Sequence, residues 1–137
     1  MKISLKTAAL LALLPMGVAQ AATTGEEDGM RIAPLSGSDF EVVSGSFTAK
    51  PGYFWCGAGS YIIRRQGQAG LTTVYLKRGI GPSSTTPGRR SVVFTTSAAG
   101  LPTAGSSLTL NMDRPGTALS ARKARSYCRD AFNRSTK

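Results

Sequence analysis

Any chemistry in this chain must come from a short inventory: Cys56 and Cys128, seven carboxylates, seventeen lysines and arginines, and no histidine. The absence of histidine removes Ser-His and Cys-His nucleophile pairs and most zinc arrangements. Cys56 stands in "YFWCGAGSYIIRRQG", behind three aromatics and ahead of Arg64 and Arg65. As a nucleophile it would need a neighbouring base or cation to form a thiolate. As one of only two cysteines in an exported chain it is expected to pair with Cys128, because nothing in an oxidising compartment keeps the thiols reduced. So long a closed loop is worth about 4 kcal/mol at most in the chain-entropy model. Among the carboxylates, Asp39 and Glu41 alternate on one strand, while Asp113 and Asp130 fall in a turn and a charged helix, so all read as solvated surface charges. There is no oxygen-ligand cluster for calcium, and "GAG" lacks the strand-glycine-helix context of a dinucleotide loop. No catalytic residue, metal or cofactor is expected.

The positive signal is cationic. On a helix, Arg122, Arg125 and Arg129 project within roughly 60° of one another, and Lys123, Arg134 and Lys137 add to the same end of the chain. Arginines in such a row can grip phosphate or carboxylate groups bidentately; the plainer alternative is a solvated face that keeps the protein soluble. A second set brackets the loop "GIGPSSTTPG": Lys77 and Arg78 leave one strand, Arg89 and Arg90 enter the next, and the loop's amides could meet an anion. The plainer alternative there is a mobile hairpin tip. Tyr53, Phe54 and Trp55 could stack on a sugar or base, but next to a buried cysteine core packing is the expectation.

These residues need elements to hold them. Lys2, Lys6, the apolar block "AALLALLPMGVA" and the small-residue run "AQAA" have the order of a secretory signal peptide, assigned to residues 1–21 with cleavage after Ala21. The block is shorter than the roughly 18 residues of a membrane-spanning helix, and no later stretch comes close, so no anchor is expected after cleavage. Residues 22–38 are polar and acidic with scattered apolar positions, and read as a flexible lead-in to a single domain over 39–137. Charge divides the same way: the chain carries a formal +10, yet Glu26, Glu27, Asp28, Asp39 and Glu41 all precede residue 42, and only Asp113 and Asp130 follow it.

Strand signals occur at "DFEVVSGSF", "TTVYLKRG" and "RRSVVFTTS", and more briefly at "SLTLNM". Residues 53–66 satisfy helix start and stop signals, with Pro51 near the beginning and Gly67 just past the end, although two interior glycines cost about 1 kcal/mol each; a strand there is the alternative. The run "TALSARKARSYCRDAF" is an amphipathic helix whose Ala121, Ala124, Cys128, Ala131 and Phe132 share one face. The expected fold is therefore α+β: about four mainly antiparallel strands with two helices on one side, clipped by Cys56–Cys128. If residues 53–66 are a strand, it becomes all-β with a C-terminal helix.

"FWCGAGSYIIRRQG", "PGRRSVVF" and "YCRDAF" together resemble small signal-peptide-bearing proteins of alphaproteobacteria whose function is uncharacterised. The resemblance implies a bacterial envelope location and a disulfide framework, and brings no activity or ligand. The functional expectation is an exported, periplasmic or secreted, non-catalytic domain whose basic surface meets an envelope polymer, a lipid headgroup or an acidic protein. Nucleic acid is not expected, since export and the lack of a recognised motif argue against it. Two alternatives stand: an enzyme with a Ser or Tyr activated by Lys77, and an inhibitor or accessory subunit presenting the loop from Gly79 to Gly88.

Overall fold

A computed structural model describes residues 25–27, 30–45, 50–104, 110 and 112–132. It is an α+β fold. Six strands, β1 (Gly25–Glu27), β2 (Met30–Pro34), β3 (Asp39–Val43), β4 (Thr73–Pro82), β5 (Arg90–Thr95) and β6 (Ala118–Ser120), form one sheet in the order β1-β2-β3-β5-β4-β6, and every neighbouring pair is antiparallel. Two helices, α1 (Pro51–Ser60) and α2 (Ala121–Phe132), lie against it. The expected signal peptide lies outside the described residues, as does most of the strand expected over "SLTLNM"; the described Met112 sits in a bend with its side chain buried.

Alternation along the strands sorts the sheet into two faces. Met30, Ile32, Phe40, Val42, Val74, Leu76, Val92 and Phe94 point to the helices and are buried with Phe54, Trp55, Ala58, Tyr61, Ile62, Ala121 and Ala124. Phe94 is central: Trp55 meets its ring edge-on at 4.8 Å and Phe40 stacks at 6.0 Å. Core packing therefore accounts for Phe54 and Trp55, and no stacking platform is left in them for a sugar or base.

Residues 53–66 are helical. Pro51 opens α1, and the chain continues into a π-helical turn, Tyr61–Arg65, in which the Gln66 amide donates to the Tyr61 carbonyl five residues back. The two glycines inside α1 have a packing reason. A Cβ on Gly59 would lie 2.4 Å from the Arg125 amide nitrogen and 2.5 Å from the Ala121 carbonyl oxygen, and one on Gly57 would lie 2.9 Å from Val42. Glycine lets α1 touch α2 backbone to backbone on one side and the sheet on the other. At that crossing Cys56 and Cys128, 72 positions apart along the chain, form the disulfide, with Cα atoms 4.8 Å apart.

Two boundaries differ from expectation. The flexible lead-in over 22–38 does not hold for its described part, because residues 25–27 and 30–34 are strands and Met30, Ile32 and Ala33 are buried. Met30 and Ile32 are two apart, which is the period of a half-buried strand, but the run is too short to stand out from its polar neighbours. The domain thus extends to residue 25 rather than starting at 39. The last helix is also shorter than "TALSARKARSYCRDAF" indicates, for Ala118–Ser120 pair with Thr73–Tyr75 as a strand. Ser120 ends that strand and caps α2, its hydroxyl accepting the Lys123 amide at 3.2 Å.

Candidate functional site

The two cationic sets fall on opposite sides of the sheet. Lys77 and Arg78 lie on the face away from the helices, where both are engaged. Lys77 pairs with Asp39, and Arg78 donates to the Ser91 hydroxyl at 2.7 Å. Arg89 donates to the Gly45 carbonyl at 3.1 Å, and Arg90 is exposed where β5 begins. Three of these four cations therefore hold the hairpin in place, and Arg90 alone of them is turned to solvent. Lys77, the base that the enzymatic alternative needs, is ion-paired.

Between these cations lies a residue that the sequence did not single out. Glu41 was expected as a solvated carboxylate and is instead completely buried, on the second face of the sheet. The hairpin loop folds back over it. Ser83 Oγ donates to Oε1 at 2.7 Å, the Thr85 amide donates to the same oxygen at 3.0 Å, and the Thr85 hydroxyl also donates to it. Oε2 accepts from the Ser84 amide at 3.2 Å, the Ser84 hydroxyl at 3.3 Å and Ser91 Oγ at 2.8 Å. Burial pushes the pKa of this carboxyl up, but hydrogen bonds from Thr85, Ser83, Ser91 and the Ser84 amide outweigh it and hold the pKa at about 2. The loop's amides do meet an anion, as its composition allowed, and the anion is the protein's own.

The loop is consequently a folded cap rather than a mobile tip. Ser83 and Arg89 close it through the Ser83 amide to the Arg89 carbonyl, 2.8 Å, and Ser83 Oγ also accepts the Thr86 amide at 2.9 Å. Presenting the segment from Gly79 to Gly88 to a partner would uncover Glu41. A serine and threonine run between two basic pairs was the only signal of this in the sequence; the acid it binds lies more than forty residues earlier.

On the helix side the arginine row is intact. Arg122 and Arg129 are exposed and Arg125 is half-buried, because its backbone packs at the crossing with Gly59. Among the described residues no carboxylate or carbonyl holds these three guanidinium groups. The start of α2 itself is not an anion site. Its Ala121 amide donates to the Thr72 carbonyl at 2.8 Å, the Arg122 amide to the Gly70 carbonyl at 2.8 Å, and the Lys123 amide to Ser120. Lys123 lays its ammonium 5.4 Å from the centre of the Tyr127 ring.

Both cysteines are in the disulfide, so neither is a nucleophile. Among the described residues no group of three or more acidic or cysteine side chains is placed to hold a metal ion, and no helix is long and apolar enough to cross a membrane. Compared with protein-family models, with curated proteins and with solved structures, the chain matches none.

Proposed function

We propose that this chain is an exported, non-catalytic domain of the bacterial periplasm or extracellular medium, and that the basic face of α2 binds an anionic component of the cell envelope. The observation that carries this reading is the contrast between the two cationic sets. Lys77, Arg78 and Arg89 are used to hold the hairpin, whereas Arg122, Arg125 and Arg129 are held by no carboxylate among the described residues. Cations whose charge is not spent inside the fold are available to phosphate or carboxylate groups outside it. The disulfide agrees with an oxidising compartment, and the resemblance to alphaproteobacterial exported proteins agrees with the envelope.

The test is sedimentation of the purified protein, without residues 1–21, with its own cell-envelope fractions at low and high salt. Alongside it goes a variant carrying Arg122→Glu, Arg125→Glu and Arg129→Glu. Salt-sensitive binding that is lost in the variant supports the reading and identifies the fraction holding the partner. Equal binding by both proteins, or none by either, reduces the arginine row to a solubility feature.

A further inference from the structure

The hairpin loop that covers Glu41 has little else to hold it against the sheet. None of residues 82–90 belongs to the hydrophobic core. Ser84, Thr85, Pro87, Gly88 and Arg89 are exposed, and Ser83 and Thr86 are half-buried. Turn bonds join the Ser83 amide to the Arg89 carbonyl, the Arg89 amide to the Thr86 carbonyl at 3.2 Å, and the Thr86 amide to Ser83 Oγ. These bonds give the loop its shape without fixing it to the face of the sheet. Attachment comes from Arg89, which reaches the Gly45 carbonyl, and from the five hydrogen bonds that Ser83, Ser84 and Thr85 give to Glu41.

Two features make the closed position conditional. The β4–β5 ladder shifts register between Leu76 and Arg78 and again between Arg78 and Gly81, so regular pairing is interrupted near the base of the loop. The Thr86 hydroxyl is buried in the closed loop with no hydrogen-bond partner among the described residues, which opening to water relieves. The groups around Glu41 decide what keeps the loop shut. Asp39, two positions away on β3, is paired with Lys77, and Arg31 of neighbouring β2 is exposed. β5 presents Ser91 and Val93, and Arg78 of β4 donates to Ser91, which in turn donates to Glu41. All six bonds to Glu41 come from neutral hydroxyls and amides. They depend on its negative charge, because a protonated carboxyl turns an O–H towards donors.

We infer that residues 83–88 are a strap latched by the charge on Glu41: the strap is closed while the carboxylate is ionised and opens, with the sheet and helices intact, once that charge is neutralised. A segment with so little buried apolar surface opens locally at a lower cost than the whole fold. Burial disfavours the charge and the hydrogen bonds outweigh it, so the latch is complete above pH 4.5 and weakens as the pH falls from there towards 2. Opening uncovers Ser91 and the Arg78 guanidinium that donates to it, beside the exposed Arg90, so this face gains a basic surface of its own in acid. The strap is independent of the binding proposed for α2.

The experiment is amide hydrogen exchange followed by NMR, corrected for the intrinsic rate at each pH. It is run on the parent at pH 6 and pH 3 and on Glu41→Gln at pH 6. The Ser84 and Thr85 amides, which donate to Glu41, are compared with the amides that bond β3 to β5. Protection of the loop pair should fall about 30-fold from pH 6 to pH 3, and at least as much in Glu41→Gln. Under either change the amides between β3 and β5 should stay at least ~100-fold better protected than the loop. The parent at pH 3 carries the comparison if the variant does not fold. Loop protection that is unchanged on either change, or absent in the parent at pH 6, overturns the latch. Loop and β3–β5 amides that share one opening free energy throughout overturn it as well, since the loop would then leave only with the fold.

Discussion

Glu41 is the residue on which the second face of the sheet depends. Its two oxygens accept six hydrogen bonds, all from hydroxyls and backbone amides, five of them from Ser83, Ser84 and Thr85 of the hairpin loop and the sixth from Ser91. A carboxylate so held is more acidic folded than unfolded, about 2 against 4.5. The sign follows directly: its contribution is complete above pH 4.5 and is lost as the pH falls from there towards 2, about 3 kcal/mol in all. Asp39, whose pKa burial raises but hydrogen bonds and charge from Lys77 and Thr95 lower further, acts in the same direction. Urea midpoints measured from pH 6 to pH 2 should therefore fall steeply in the parent. In Glu41→Gln they should start about 2 to 4 kcal/mol lower, because an amide turns a donor towards donors, and then fall less over this range. Parallel pH profiles for the two proteins would show that folding does not lower the pKa of Glu41. None of this was legible from the sequence. A glutamate two residues from an aspartate on a strand looks solvated, and its burial depends on a loop that is distant along the chain.

At the scale of elements, the two helices meet backbone to backbone, and Gly59 makes this possible. Gly59→Ala drives a methyl against the α2 backbone, where no side chain can yield, so stability should drop by about 1 to 3 kcal/mol or more. Gly45→Ala, which meets no atom within 4 Å, is the control and should be nearly neutral. A chemical denaturation series on the two variants decides it, and equal midpoints would mean that the helices can separate without loss. Both helices and their disulfide were legible, because Pro51, Gly67 and the alanine face of α2 are local signals and two cysteines allow one pairing. The same glycines counted against α1 as a helix when only propensity was weighed; their value appears once α2 is beside them. β2 and β6 were not legible for a related reason. Three to five residues cannot display a period, and these strands are fixed by their neighbours in the sheet rather than by their own composition.

Across the whole molecule, the sheet separates two sets of cations: Lys77, Arg78 and Arg89 on the hairpin side, used within the fold, and Arg122, Arg125 and Arg129 on the helix side, held by no carboxylate among the described residues. The described part of the acidic segment that precedes residue 42 is tied into the sheet. β1 and β2 occupy one edge of the sheet, and β6, which leads into α2, occupies the other. Which arginines stay unspent could not be read from the sequence, since it depends on which face of the sheet each strand position presents. The disulfide joins α1 to α2, and removing it with Cys56→Ser and Cys128→Ser should lower stability by up to about 4 kcal/mol. A comparison of urea midpoints checks this, and an unchanged midpoint would mean that the crossing at Gly59 holds without the covalent bond. Chain order gives that bond one more role. Because Cys56 finds its mate only after a further 72 residues, a nascent chain carries a lone thiol until the final helix has emerged. Oxidation of this pair thus records that synthesis has reached α2, and a chain interrupted earlier stays open to alkylating reagents and to disulfide exchange with its neighbours.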